Sequence, residues 1–239
     1  MNKSGREEVL NDIWSANSSK FMDVAHTSQK KILHPTLAKL INEQQPSNLL
    51  DYGCGDTRIL SLIDKKIAVD VHDINIEMLE LAKLKNGKRI NNYYQSKELI
   101  PTGHYDVVLM SMVLVCIKSE EEYLKVLQNI QTSKKETGRA LIAVTHPCFR
   151  DRWFSNFHTS YSESYPFKYL KEGEPFDVFI EDETPPSVAF TDYHWTFSFT
   201  LNAIIRAGMI IERVIETPDD ESSSNYNDAF STFLVVVAK

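Results

Sequence analysis

Cysteine is scarce in this sequence: Cys54, Cys116 and Cys148 are odd in number, far apart and form no C-x-x-C pair. That excludes a disulfide framework and a cysteine zinc site, so no metal is expected and a reducing compartment fits. Basic residues are also in deficit, 26 against 33 acidic for a net charge of −7, the wrong sign for a broad footprint on nucleic acid or anionic lipid. Long hydrophobic runs are missing too. The longest, Val107 to Ile117, is 11 residues with Ser111 inside it, whereas a membrane helix needs about 20. Glycine and proline, 8 and 9, are too few for a disordered chain. Met1 to Asp12 alternates charges and lacks a signal peptide's apolar core, so Asn17-Ser18-Ser19 reads as an unused glycosylation pattern. These absences predict a cytoplasmic protein without nucleic-acid or membrane partners, acting as a monomer or homodimer.

What is present suits one folded domain: 239 residues, 42% hydrophobic and 25% charged. Residues 1–45 carry helical spacing in Val9, Ile13, Ile32, Leu33, Leu37, Leu40 and Ile41, with Pro35 acceptable near a helix start. Residues 46–147 alternate β-like and helical runs. Strands are expected at 48–51, 67–71, 92–94, 105–110 and 139–145, and helices at 57–63, 76–85 and 120–133. Near-continuous apolar strands separated by helices imply a parallel sheet covered on both faces. Residues 148–198 differ in texture, since 15 of the chain's 25 aromatic residues lie between His146 and Thr200. Residues 199–239 read as a helix over 199–207, a Gly208 cap, and strands over 209–216 and 230–238 joined by a polar loop containing Ser222-Ser223-Ser224. Two successive strands there predict an antiparallel hairpin at the sheet edge.

The chemistry centres on Leu49-Leu50-Asp51-Tyr52-Gly53-Cys54-Gly55-Asp56. A strand, a glycine turn and a helix start would aim backbone N–H groups at a ligand. A dinucleotide fingerprint would need its third glycine at position 58, which is Arg58, so a ligand without phosphate fits better than a nicotinamide cofactor. Asp73 stands 20 residues after Gly53, where such folds place an acid on ribose hydroxyls, with Asp70 as the fallback. Taken singly, the glycines could serve only a tight turn, and Asp51 and Asp73 could be helix or turn caps.

At these residues the sequence resembles the class I S-adenosylmethionine-dependent methyltransferases, through Asp51-Tyr52-Gly53-Cys54-Gly55 and Asp73-Ile74-Asn75-Ile76-Glu77-Met78-Leu79. Tyr105-Asp106-Val107-Val108 with Ser111-Met112-Val113-Leu114 resembles the family's fourth-strand motif, and the segments 207–212 and 233–238 its terminal hairpin. The resemblance implies a Rossmann-like, doubly wound, mostly parallel α/β sheet of seven strands, with N-terminal helices and an aromatic lid insertion. It implies S-adenosylmethionine as cofactor and S-adenosylhomocysteine as product. Asp51, Gly53, Cys54 and Gly55 would surround the methionine part, Asp73 the ribose, and Ile74 and Met78 the adenine, with Ser96, Ser111 and Met112 completing the cofactor site. Where the family usually carries an acid after the third strand, this chain has Gln95-Ser96-Lys97.

Methyl transfer from a sulfonium is an in-line displacement, so alignment of donor and acceptor does most of the work, and an alcohol or phenol acceptor also benefits from a base. His146, directly after the strand 139–145, and His194, before the last helix, are the candidate catalytic residues. Both have an alternative as structural residues, His146 through the extended His-Pro turn. Arg150, Trp153, Phe154, Tyr161 and Trp195 are the candidate acceptor-binding residues, in a lid formed by the insertion; its rings could instead form a satellite core. Trp14, Phe21 and His26 could supply a second half of the lid or pack against the sheet. The expected activity is methylation of a small organic acceptor at oxygen or nitrogen. The alternatives are a protein methyltransferase and a non-catalytic S-adenosylmethionine-binding module.

Overall fold

The computed structural model describes residues 28–154, 157–163, 166–180, 188–218 and 230–239. Val9, Ile13, Trp14, Asn17, Phe21, His26, Tyr165 and the Ser222-Ser223-Ser224 loop lie outside them. Helices are α1 (His34–Gln44), α2 (Ile76–Asn86), α3 (Glu120–Ser133) and α4 (Phe197–Arg206). Strands β1 (Asn48–Tyr52), β2 (Ala68–His72), β3 (Ile90–Tyr94), β4 (Tyr105–Ser111), β5 (Lys134–Thr145), β9 (Ile211–Glu216) and β10 (Phe233–Ala238) form one seven-stranded sheet. Its order is β3-β2-β1-β4-β5-β10-β9, parallel through β5 and antiparallel over the last two pairs. This is the Rossmann-like α/β architecture with a terminal hairpin. None of the described helices is long and apolar enough to cross a membrane.

Each helix start has a local cause. Asn75 caps α2 by accepting from the Glu77 and Met78 N–H groups, Ser119 caps α3 from Glu122, and Thr196 caps α4 from Phe199. Glu120, Glu121 and Glu122 in the first turn of α3 favour its positive dipole end. Alternate strand residues then bury opposite faces: Leu49, Val69, Val107 and Leu109 under α1 and α2, and Leu50, Val108, Met110 and Ile142 under α3 and α4.

Two elements depart from the sequence reading. Residues 57–63, expected as a helix, contain only the 3-10 turn Arg58–Ser61. Thr57 takes a left-handed conformation (φ 56°), and the side chain of Asn42 in α1 bonds both Leu62 O and Asp64 N, which ends the turn. The aromatic insertion holds a second, antiparallel sheet, β6 (Phe157–Thr159), β7 (Glu174–Ile180) and β8 (Val188–His194). Phe154, Phe157, Phe176, Val178 and Ile180 close its core together with Phe230. Aromatic and β-branched residues suit such a half-buried pleated surface.

Candidate functional site

A cavity of about 760 Å³ opens at the C-terminal ends of β1, β2 and β4, the edge where open α/β sheets place ligands. All ten residues singled out for the cofactor line it: Asp51, Gly53, Cys54, Gly55, Asp73, Ile74, Met78, Ser96, Ser111 and Met112.

The glycine turn is built differently from its sequence reading. No α-helix follows it, and its N–H groups are spent inside the protein: Gly53 and Cys54 donate to His72 O at 2.7 and 2.9 Å, and Gly55 donates to Asp73 Oδ2 at 3.0 Å. The turn therefore offers no nest of free donors to a phosphate. Gly53 is required for space and conformation, since at φ 73° a Cβ would stand 2.3 Å from Val113 Cγ2. Gly55, at φ 49°, has open space where its Cβ would be. On the facing wall Met112 also holds a left-handed conformation (φ 62°), its N–H bonded to Ala143 O across the end of β5.

The carboxylates differ from one another. Asp51 is only 4% exposed, and its side chain accepts no hydrogen bond among the described residues. Burial, then the charges of Asp73 and Asp56, push its pKa up to about 8. Asp73 accepts from Gly55 N and Asn75 N, both at 3.0 Å, which partly offsets burial and leaves it at about 6. It is not the cap of α2; Asn75 is. For Asp56, burial is outweighed by hydrogen bonds from Lys85 at 2.8 Å and from Arg58, so its carboxyl is held below the usual range. Asp70, the fallback for Asp73, is buried away from the cavity, bonded to Tyr105 Oη at 2.7 Å and Asn92 Nδ2 at 3.0 Å.

Several lining residues had no signal in the sequence. Gln29, His34 and Leu37 come from α1 and the turn before it. Tyr52 and His72 stack at 4.2 Å on the opposite side, and Asn129 of α3 donates to Tyr52 Oη at 3.4 Å. Both His72 ring nitrogens are enclosed without a partner, and burial lowers its pKa to about 4, so it is neutral. The short turn Lys97–Leu99 of the β3–β4 connection also lines the cavity. Strand-end periodicity could have found Tyr52 and His72, but only tertiary packing brings in α1 and α3.

The residues expected on the acceptor side come together elsewhere, and none of them is among those lining the cavity. β10 lies antiparallel to β5, so the end of β5 abuts the terminal hairpin. His146 is accordingly buried there, with its N–H on Thr232 O, Nδ1 accepting from Cys148 N, and Nε2 at 2.7 Å from Glu216 Oε1. Both ring nitrogens are engaged, and burial outweighs Glu216 to lower its pKa. His194 is fully buried, with Nε2 2.7 Å from Tyr169 O and a pKa lowered to about 4 by burial.

Arg150 is buried against Thr145 and over the Phe176 ring at 4.7 Å, within the field of Asp192. Phe154 stacks on Phe157 at 4.4 Å, and Tyr161 packs on Phe167 and Phe176. Trp195 donates to Ile117 O at 2.9 Å and stacks on Phe199. Trp153, 42% exposed, stacks on His158 at 3.8 Å. What the structure builds from the insertion's aromatic residues is thus a satellite core.

Comparison with known proteins agrees with this architecture. A methyltransferase-domain profile matches residues 24–169. No curated protein sequence matches significantly. A Listeria monocytogenes protein assigned as an S-adenosylmethionine dependent methyltransferase superposes with TM-score 0.60 at 21% identity, over 86% of this chain and 96% of that one. An S-adenosylmethionine dependent methyltransferase from Mesorhizobium loti gives 0.57 at 18%, over 84% and 95%. The 1,6-didemethyltoxoflavin-N1-methyltransferase of Burkholderia thailandensis, with bound 1,6-didemethyltoxoflavin and S-adenosylhomocysteine, gives 0.61 at 15%, over 100% and 90%. At these identities the structures establish a shared fold, and the profile spans more than half of the chain. The chain belongs to the methyltransferase-domain family.

Proposed function

We propose that this protein transfers the methyl group of S-adenosylmethionine to an oxygen or nitrogen of a small organic acceptor. The observation that carries the reading is Asp51: a buried carboxyl with no hydrogen-bond partner among the described residues, in the same cavity as Asp73, suits a cationic ligand. Donor N–H groups spent within the glycine turn disfavour a phosphate-bearing ligand in the same place. Asp73 suits ribose hydroxyls, and Ile74, Met78 and Ser96 give the adenine apolar walls with one polar edge. The small-molecule neighbour from Burkholderia supports a small acceptor over a protein, and the chain's acidic balance disfavours RNA.

When bound, the donor supplies an electrophilic methyl carbon: its C–S bond breaks, sulfur keeps the electron pair, and the acceptor forms the new C–O or C–N bond. The protein's part is alignment, exclusion of water, and removal of the acceptor's proton where one must leave. His34 takes that last role in this reading. It lines the cavity from the first turn of α1, whereas His146 and His194 do not and His72 has enclosed nitrogens. Arg150, Trp153, Phe154, Tyr161 and Trp195 then serve to hold the insertion against the sheet. The protein is assigned to the cytoplasm on its cysteine usage.

Calorimetry with S-adenosylhomocysteine and with NADH tests the donor, and heat from NADH alone would overturn the reading. Incubation with labelled donor and a panel of carboxylic acids, amines and phenols, read by mass spectrometry, identifies the acceptor atom.

A further inference from the structure

We infer that Asp51 is a proton-exchanging carboxyl: in the cavity without ligand it carries a proton, which it releases to solvent when the α-ammonium group of the donor, a group that S-adenosylhomocysteine keeps, comes to lie against it. This rests on the donor reading above and adds the regulation of that same site.

The geometry comes first. Asp51 is the last residue but one of β1, lines the cavity and finds no hydrogen-bond partner among the described residues. Nor does a cation among the described residues neutralise it. Arg58 and Lys85, the basic groups nearest the turn, are both committed to Asp56. Asp73, beyond the end of β2, adds negative charge, and Cys54 beside it stays a thiol because burial and the two carboxylates raise it. From α1 the cavity receives His34. On the far side His72 is neutral, and Lys97 and Glu98 act on His72 and Tyr52. Cys116, from the wall after β4, is kept protonated by burial.

An unpartnered carboxylate in such a place is relieved most readily by taking up a proton. Asp51 does so ahead of Asp73, because Asp73 keeps two backbone N–H bonds and Asp51 keeps none. The pKa values follow the same order, pushed up to about 8 for Asp51 and to about 6 for Asp73. The exchange is balanced: the carboxylic acid plus a cationic ligand becomes a carboxylate–cation pair plus one proton in solvent.

The sign of the linkage follows. With no ligand bound, the folded chain holds a proton on Asp51 that the unfolded chain loses near the ordinary carboxylate range, so this group's contribution to stability declines as pH rises from about 4 to about 8. Ligand affinity runs the other way, improving roughly tenfold per pH unit below about 8 and levelling above it.

The test is calorimetry of the full chain with S-adenosylhomocysteine, in pairs of buffers that differ in ionisation enthalpy. Close to one proton is expected to leave per ligand at about pH 7, and close to none above about pH 9. Asp51→Asn should abolish the release and make the affinity independent of pH. Asp73→Asn should keep the release but move its onset to lower pH, because one of the charges that raise Asp51 is gone. Binding without proton release in the wild type, or the same release in Asp51→Asn, overturns the inference; the wild-type proton count decides alone if the variant does not fold. No binding heat at any pH sinks the donor reading instead.

Discussion

Two of the regions that bury ionisable groups contrast with each other. One is the cavity edge with Asp51 and Asp73; the other is the nest at the end of β5 with His146, Arg150, Asp192 and His194. In both, burial moves pKa values: Asp51 to about 8, Asp192 to about 7, Arg150 to about 10 and His194 to about 4. They differ in where the polar atoms go. At the cavity edge Asp51 is unbonded beside 760 Å³ of space. In the nest, His146 has both ring nitrogens engaged, Arg150 and His194 each keep a protein partner while Arg150 Nε and His194 Nδ1 are enclosed without one, and the void beside Arg150 is only about 10 Å³, close to the room one water needs. A perturbed pKa reports desolvation, and only open space beside an unsatisfied group makes it a candidate binding site.

The sharpest way to break that comparison is Gly53→Ala. A Cβ 2.3 Å from Val113 Cγ2 at φ 73° should cost at least about 2 kcal/mol and displace the donor turn, read by denaturant unfolding and by loss of S-adenosylhomocysteine binding. Gly55→Ala, strained at φ 49° but without a clash, should cost about 1–2 kcal/mol. Equal costs would show that Val113 yields freely.

Asp73→Ala should weaken donor binding by about 1–3 kcal/mol with little change in unfolding. Arg150→Met is the mirror image: it should lower stability by about 1–3 kcal/mol, through the lost Thr145 bonds, and leave donor affinity alone. A fall in donor affinity in Arg150→Met would join the nest to the site. The smallest effects belong to the imidazoles. His146→Gln loses a hydrogen bond to a mostly exposed Glu216, so about 1 kcal/mol of stability or less is expected, with turnover retained. His34→Gln should lower kcat on a hydroxyl acceptor while donor affinity stays constant. The reverse pattern would return the base to His146.

The wall of the cavity contributed by β1, β2 and α2 was legible because its determinants are local. A glycine turn after a buried strand, an acid 20 residues on, and a helix carrying Met78 are spacings within single β–α units, and the parallel sheet brings such units' ends to one edge. Where the residues expected on the acceptor side pack was not legible, for a physical reason visible in His146. Its place after β5 predicted a position at the ligand edge, but its orientation depends on β10, nearly 90 residues later, whose Thr232 and the neighbouring Glu216 bind it. His34 and Gln29 carry no motif, and their position comes from α1 packing through Leu33, Leu37 and Ile41 under the sheet.

By itself the sequence determined the alternation of strands and helices, the terminal hairpin, and the cluster Asp51, Gly53, Gly55, Asp73 and Met78, because period, capping and turn chemistry act over a few residues. Tertiary structure alone decided the rest. It spent the glycine turn's N–H groups on the His72 carbonyl, left Asp51 unbonded, and gave the aromatic insertion a sheet and core of its own. Those outcomes depend on which distant groups satisfy one another's hydrogen bonds and fill one another's space, and that accounting closes only when the whole chain is packed.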